Sequence, residues 1–139
     1  MDAAKRVLRD VVASIPDRED SINVGFRVYG HLGDNSEATK EESCRASVLI
    51  VPVEGIDREA LYAAIDSAQP TGWTPIGRSL ARAGKDFPPA GPNVVNAVVL
   101  VTDGLETCDL DPVAEAADFR GRPEVQMITH VIGFGTTPE

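Results

Sequence analysis

Apolar residues recur along the chain with two spacings, one typical of amphipathic helices and one typical of strands. Over residues 2–15 the apolar side chains form one helical stripe, which Pro16 ends. Residues 22–30 alternate between apolar and polar side chains, as in a strand with one buried face. Residues 93–101 form an almost continuous apolar run, the pattern of a parallel strand covered on both faces. The pattern therefore predicts both helices and buried strands.

The rest of the pattern predicts further elements of both kinds. Residues 46–53 and 125–135 are apolar enough for two more strands, whereas residues 31–42 are polar and indicate a loop. Helix-start signals mark three more helices, at Asp57 (through Ala68), at Thr74 before Pro75, and at Asp111 before Pro112 (through about Phe119). Helices that alternate with buried strands predict an α/β fold, an open sheet with helices on both faces.

Composition narrows the class of partner. The chain has 139 residues, enough for one domain, and its 22 acidic against 13 basic residues give a net charge of -9. Because an acidic surface repels phosphate backbones, nucleic acid is not an expected partner. The charge suits a cation or a basic partner, although for the net charge alone we favour solubility as the explanation. The longest apolar run, residues 94–101, is far shorter than the roughly 20 residues of a membrane span, and residues 1–12 lack the pattern of a signal peptide.

The two cysteines and two histidines give no metal-site pattern of their own. Cys44 and Cys108 do not form a Cys-x-x-Cys pair, so a zinc site of the usual spacing is unsupported. The cysteines are compatible with one disulfide or with two buried thiols, and their spacing does not choose between these. His31 and His130 are far apart, and the position of His130 in an apolar strand predicts a packed side chain.

Four carboxylates follow the most apolar strand. In open α/β sheets ligands bind beyond the carboxyl ends of the strands, where Asp103 is expected. Asp103 either binds a cation or accepts hydrogen bonds from the turn at Gly104, and we favour the first interpretation. Asp111 is predicted to cap a helix, Glu106 to support a ligand or be solvated, and Asp109 to be solvated.

Motifs typical of enzymes are incomplete in this chain. The segment GRSLA lacks the second glycine of a nucleophile elbow and falls inside a predicted helix. The segment GFGTTP has half of a dinucleotide-binding fingerprint, without the helix that should follow. An enzyme that uses Asp103 on a phosphorylated substrate is an alternative, for which Arg78 is the only evident basic partner.

Several segments taken together resemble the von Willebrand factor type A domain. The segment GWTPIGRSL precedes VVLVTDGLETC at the family's spacing, and INVGFRVYGH and THVIGFG resemble strands of a bacterial branch. The resemblance covers nearly all of residues 1–139, as one partial domain. It implies a Rossmann-like open sheet and a metal-ion-dependent adhesion site, with Thr74 and Asp103 as ligands. The cation would be Mg²⁺, or Mn²⁺ or Ca²⁺, completed by a carboxylate from a protein partner.

One part of the family's site has no counterpart in this sequence. The Asp-x-Ser-x-Ser motif that follows the family's first strand is absent. The resemblance therefore implies that the chain lacks the first, central strand and the last helix and strand, as a fragment, a misplaced start or a chain completed by another polypeptide. Two oxygen ligands fall short of the six that Mg²⁺ prefers, so we expect weak binding or none. Open strand edges predict aggregation or dimer formation.

The resemblance also gives the cysteines a role. It places Cys44 and Cys108 at the same end of the sheet and implies a disulfide between them, hence an oxidising compartment and a secreted or cell-envelope parent protein. The function it implies is a non-catalytic, adhesion-type protein-binding module that engages its partner through a divalent cation. The alternatives are a degenerate structural fragment without metal binding and the phosphatase-like enzyme.

Overall fold

Helices and short strands alternate along the chain in a computed structural model that describes residues 2–17, 22–69 and 71–135. The elements are α1 (Asp2–Ser14), β1 (Phe26–Tyr29), a 3₁₀ turn (Glu37–Thr39), α2 (Lys40–Arg45), β2 (Ser47–Val51), α3 (Arg58–Ser67), α4 (Ile76–Ala83), β3 (Ala97–Thr102), α5 (Pro112–Gly121) and β4 (Ile128–Gly133). A mixed α/β fold is therefore confirmed, with every predicted helix and strand present in some form.

Local capping signals located two helices accurately. The Asp57 carboxylate accepts a hydrogen bond of 2.9 Å from the amide of Ala60 at the start of α3. The Asp111 carboxylate accepts one of 2.9 Å from the amide of Val113 at the start of α5. Both predicted caps are confirmed, because each carboxylate satisfies an amide that has no partner inside its helix. Within the described ranges, no helix has the length and apolar character needed to cross a membrane.

The strands are shorter than predicted, and one helix lies in a predicted loop. Before β1, the amide of Val24 donates to the carbonyl of Gly55 and takes no part in the strand ladder. Before β3, the amide of Val94 donates to the carbonyl of Gly91 in a turn. The loop prediction over residues 31–42 is wrong from residue 37 onward, where the 3₁₀ turn and α2 begin.

The strands form two separate pairs. Strand β1 is antiparallel to β2, and β3 is parallel to β4. The carbonyls of Asn96 and Thr102 accept hydrogen bonds from amides flanking or within β4. Because carbonyls alternate between the two edges of a strand, the Val101 carbonyl points to the other, open edge of β3. There it accepts a hydrogen bond of 3.0 Å from the hydroxyl of Tyr29 on β1.

Two apolar clusters pack against these strand pairs. The first joins α1 and α3 to β1 and β2, with Val12, Val51, Leu61, Ala64 and Ile65 buried. The second joins α4 and α5 to β3, with Ile76, Leu80, Leu100, Phe119 and Met127 buried. Phe26 packs against the first cluster and Tyr29 against the second. Strand β1 therefore contributes to both clusters and links them.

One face of the β3–β4 pair is largely uncovered. Val98 and Leu100 pack toward α4 and α5, whereas Val99 and Ile128 on the opposite face are 44% and 39% exposed. The prediction that this strand is covered on both faces is therefore wrong for the described part of the chain. His130 is also exposed, contrary to its predicted packing, because it lies beside Val99 on the same face.

Candidate metal site

Thr74 lies just before α4, at the end of a segment that we call the first ligand loop (residues 71–75). Its amide donates a hydrogen bond of 2.8 Å to the Thr107 hydroxyl, and its carbonyl accepts one of 3.1 Å from the Thr107 amide. The prediction that Thr74 caps α4 is wrong. Pro75 occupies the N-cap position, and its side chain makes no capping hydrogen bond. Among the described contacts, the Thr74 hydroxyl has no protein hydrogen-bond partner, so it is available to a ligand.

Asp103 begins a segment that we call the second ligand loop (residues 103–109), immediately after β3. Its side chain is exposed. The turn at Gly104 closes on Thr102: the Gly104 amide donates to the Thr102 hydroxyl at 3.3 Å, and this hydroxyl lies 3.0 Å from the Gly104 carbonyl. The alternative in which this turn satisfies Asp103 therefore finds no support among the described hydrogen bonds. The carboxylate is left to water or to a ligand.

The two ligand loops meet at one edge of the molecule. A Cβ atom placed on Gly104 would lie 3.8 Å from the Thr74 hydroxyl oxygen. Burial raises the pKa of Tyr29; a hydrogen bond with Thr102 opposes this shift, and the negative charges of Asp103 and Glu106 add to it. The hydroxyl of Tyr29 bonds the Val101 carbonyl, two residues before Asp103, so Tyr29 reaches the same end of β3.

Glu106 has a structural role that the sequence did not reveal. One of its carboxylate oxygens accepts a hydrogen bond of 2.6 Å from the Gly77 amide in the first turn of α4. The other accepts one of 2.6 Å from the Cys108 amide. A carboxylate at a helix N-terminus satisfies an unpaired amide and interacts favourably with the helix dipole. The prediction of a solvated Glu106 is wrong: it caps α4 from a distant segment, and both oxygens are already engaged.

The remaining acidic residues of this segment follow their predictions. Asp111 caps α5, as described above. Asp109 is exposed and adopts a left-handed backbone conformation with φ of 68°. Aspartate tolerates this conformation better than most residues, because its short polar side chain can hydrogen-bond locally. Neither Asp109 nor Asp111 is therefore added to the candidate ligands Thr74 and Asp103.

A disulfide ties the second ligand loop to α2. Cys44 and Cys108 are bonded, with their Cα atoms 5.5 Å apart, well inside the range that a disulfide can bridge. Cys108 is 6% exposed. The pairing that the family resemblance implied is present in the structure, at the end of β3 that carries Asp103.

The side chains at this edge fit a divalent cation only in part. Thr74 and Asp103 offer two hard oxygen ligands, the type that Mg²⁺, Mn²⁺ and Ca²⁺ prefer. Glu106 is less available than these two, because each of its carboxylate oxygens already accepts a backbone amide. No group of three His, Cys, Asp or Glu side chains within the described ranges is placed to hold a metal ion. Thr74 and Asp103 would hold the cation, and water would occupy most of its coordination shell.

The basic partner considered for an enzyme at Asp103 and the largest described surface depression by volume both lie apart from this carboxylate among the described contacts. Arg78 is half-buried, its Nε atom has no hydrogen-bond partner, and none of the described ion pairs joins it to Asp103. One surface depression of about 690 Å³ is lined by Ala90, Gly91, Pro92, Asn93, Val94, Val95, Pro123 and Gln126. It lies before the start of β3, at the opposite end of the strand from Asp103.

The chain is similar to two proteins of Bacillus subtilis (strain 168). It is 34% identical over 134 residues to the uncharacterized protein YwmD, an alignment that covers 96% of this chain and 58% of YwmD. It is 28% identical over 132 residues to the uncharacterized protein YwmC, and this alignment covers 95% of this chain and 56% of YwmC. The chain thus spans somewhat more than half the length of these curated relatives. No family profile and no solved structure matches it.

Proposed function

We propose that this chain is a non-catalytic protein-binding module of the von Willebrand factor type A kind. In the complete form, Thr74 and Asp103 would help to hold a divalent cation, and a protein partner would donate a carboxylate to it. The observation that carries the proposal is the position of the Thr74 hydroxyl beside Gly104, the neighbour of Asp103. Two side-chain oxygens for which the described residues show no hydrogen-bond partner thus come from loops that are distant in sequence.

The proposal includes the finer architecture of the sheet. The strand pairs β1–β2 and β3–β4 would be parts of one Rossmann-like open sheet, with room for one strand between β1 and β3. The support is the contact between Tyr29 and Val101: a whole side chain and a hydrogen bond of 3.0 Å join these two strands. Directly paired strands would lie about 4.8 Å apart and join through their backbones.

Cation titration tests the proposed site. We expect Mg²⁺ and Mn²⁺ to bind the 139-residue chain with Kd of about 1 mM or weaker, because water supplies most of the ligands. Calorimetry gives the affinity, and broadening of amide resonances by Mn²⁺ gives the location, which should centre on Thr74 and Gly104. Thr74→Val and Asp103→Asn should remove the broadening. Asp109→Asn, which deletes an exposed carboxylate of the same loop, should leave it unchanged.

The outcomes separate the proposal from its main alternative. Mn²⁺ broadening that persists in Asp103→Asn contradicts the assignment of the site. A micromolar affinity contradicts the expectation of weak binding by this chain. No broadening at any Mn²⁺ concentration up to about 10 mM, tenfold above a Kd of about 1 mM, favours a structural fragment without metal binding. That alternative draws its support from Glu106, whose two oxygens already serve backbone amides.

A further inference from the structure

Two adjacent residues of α2 each hold one of the ligand loops. The Ser43 hydroxyl accepts a hydrogen bond of 2.7 Å from the amide of Trp73, the residue before Thr74 in the first ligand loop. Cys44 is bonded to Cys108 in the second ligand loop. One short helix therefore fixes both loops that carry the candidate ligands.

The contact of Ser43 with the first ligand loop is tightly enclosed. Ser43 is fully buried, with 0% exposure. A Cβ atom on Gly72 would lie 2.1 Å from the Ser43 hydroxyl oxygen, so the close approach needs a residue without a side chain. The indole Nε1 of Trp73 donates a hydrogen bond of 3.1 Å to the Ser36 carbonyl, and the Lys40 ammonium lies 4.5 Å from the ring centre. The first ligand loop is thus anchored to the segment that leads into α2 and to α2 itself.

The disulfide acts on the second ligand loop through Glu106. The Cys108 amide donates to one oxygen of Glu106, and the other oxygen accepts from the Gly77 amide of α4, both at 2.6 Å. Thr107, between these residues, exchanges two hydrogen bonds with Thr74. A displacement of Cys108 would therefore disturb both the cap of α4 and the contact between the two ligand loops.

Hydrogen bonds between the described strands do not provide a second connection between the two ligand loops. Among the described strands, β1–β2 and β3–β4 form separate hydrogen-bonded pairs. The two ligand loops are joined instead by the hydrogen bonds between Thr74 and Thr107, one of which links their backbones, and by side-chain contacts. The Cys44–Cys108 bond is the only covalent link described. Because loops with few backbone hydrogen bonds open at low free-energy cost, such a cross-link has a large effect on their geometry.

We propose that Ser43 and Cys44 are positioning residues of the candidate cation site. They hold the two ligand loops at a fixed separation, so cation affinity depends on the Cys44–Cys108 disulfide. This inference rests on the proposed function in one respect, the presence of a cation. Its mechanical part, the coupling of the disulfide to the Thr74–Thr107 contact, is independent of any ligand.

Cleavage of the bond follows ordinary thiol–disulfide exchange. A dithiol reductant attacks one sulfur through its thiolate, and the second thiol of the reductant then resolves the mixed disulfide. The protein disulfide gains two electrons and two protons and becomes two thiols, while the reductant becomes a cyclic disulfide. Cys44 is the more exposed of the two cysteine residues, so we expect the reductant to attack its sulfur.

Amide hydrogen exchange in the oxidised and reduced chain tests the mechanical part. We expect exchange to accelerate at least about tenfold on reduction at the amides of Thr74, Gly77, Thr107 and Cys108, whose hydrogen bonds define the loop contact. The amides of Leu61 in α3 and Ile128 in β4 serve as internal references and should change far less. Unchanged exchange at the loop amides would overturn the proposal, whatever the cation does.

Cation binding tests the functional part. The Mn²⁺ affinity of the reduced chain, of Ser43→Ala and of the double variant Cys44→Ala/Cys108→Ala should fall at least about threefold relative to the oxidised chain, a loss well above titration error. Glu42→Ala, an exposed change on the same helix, should keep the oxidised affinity. Equal Mn²⁺ affinity in the oxidised and reduced chains refutes the positioning role.

Two arrangements of the results distinguish this inference from the proposed function. If the oxidised chain binds no Mn²⁺ but its loop amides exchange faster on reduction, this chain has no cation site of its own and the mechanical coupling stands. If Mn²⁺ binds at Thr74 and Asp103 but reduction changes neither affinity nor exchange, the function stands and the inference fails. Ser43→Ala keeps the disulfide, so it gives an answer even if the double variant does not fold.

Discussion

The hydroxyl of Tyr29 donates a hydrogen bond of 3.0 Å to the backbone carbonyl of Val101, and this contact joins the two strand pairs. The carbonyl lies on the edge of β3 that faces away from β4. A side chain therefore satisfies a backbone acceptor at a position where a neighbouring strand would otherwise donate. The contact makes Tyr29 a part of both the fold and the electrostatics of the ligand loops.

Removal of the Tyr29 hydroxyl should weaken the fold. Tyr29→Phe keeps the ring in the second apolar cluster but leaves the Val101 carbonyl without its donor. We expect the free energy of unfolding in urea to fall by about 1 kcal/mol, the typical net value of one hydrogen bond. Tyr62→Phe is the control, because no described hydrogen bond involves the Tyr62 hydroxyl. Equal losses in both variants would show that the contact with Val101 contributes nothing.

The same phenol should make stability depend on alkaline pH. Burial, and secondarily the charges of Asp103 and Glu106, raise the pKa of Tyr29 above 10.0. The unfolded chain then releases this proton at a lower pH than the folded chain. The stabilisation is complete below pH 10 and is lost as the pH rises through the folded-state pKa. Urea midpoints measured from pH 9 upward should fall more steeply for the wild type than for Tyr29→Phe; parallel curves would contradict this.

Elements with local signals were predictable, and those held by distant contacts were not. Asp57 and Asp111 mark their helices by caps that lie within a few residues. Helix α2 has a polar sequence without an apolar stripe, and its anchor is the buried Ser43, which bonds Trp73 thirty residues away. The exposure of Val99 could not be predicted either. An apolar run indicates that a strand is buried, but it does not show whether another element is present to cover it.

The candidate site shows the same division. Asp103 was expected to bind a cation because of its position beyond the carboxyl end of a buried strand. Thr74 as a ligand rests on the family resemblance alone, since its place before Pro75 predicts a helix cap. Glu106, which caps α4 in the structure, lies 29 residues along the chain from Gly77, whose amide donates a hydrogen bond to it. No periodicity or spacing rule relates two such positions. The available signal was only the unfilled N-terminus of α4, which needs an acceptor from somewhere in the fold.

Glu106 should be sensitive even to its most conservative replacement. Each of its carboxylate oxygens accepts one backbone amide, from Gly77 and from Cys108. In Glu106→Gln one amide would face the NH₂ group, so a donor would oppose a donor. We expect a loss of about 1–2 kcal/mol in the free energy of unfolding. Asp109→Asn, also in the second ligand loop but exposed, should change it by less than about 0.5 kcal/mol. A neutral Glu106→Gln would mean that α4 needs no cap.

Gly72 should not tolerate a side chain. A Cβ atom there would lie 2.1 Å from the Ser43 hydroxyl and 2.6 Å from the Leu32 carbonyl. Gly72→Ala should therefore lower the free energy of unfolding by about 1–3 kcal/mol, as overpacking in an enclosed site does. Gly121→Ala is the control, because nothing lies within 4 Å of its added Cβ. Thermal melts of both variants give the comparison, and the prediction fails if Gly72→Ala melts like the wild type.

The open edges and the uncovered face of β3–β4 should promote self-association. Among the described strands, backbone groups on the open edges of β1 and β3 can pair with another chain. Val99, which is 44% exposed, adds apolar surface. We expect size-exclusion chromatography with light scattering to show dimers or larger species whose fraction rises with concentration. Val99→Lys should reduce that fraction, since a charge on this face opposes sheet stacking. Val113→Lys is the matched control, because Val113 is 75% exposed on α5. A monomer with a cooperative melt at all concentrations would contradict the prediction, because it would show that the contacts around Tyr29 and Cys108 are enough to protect both strand edges.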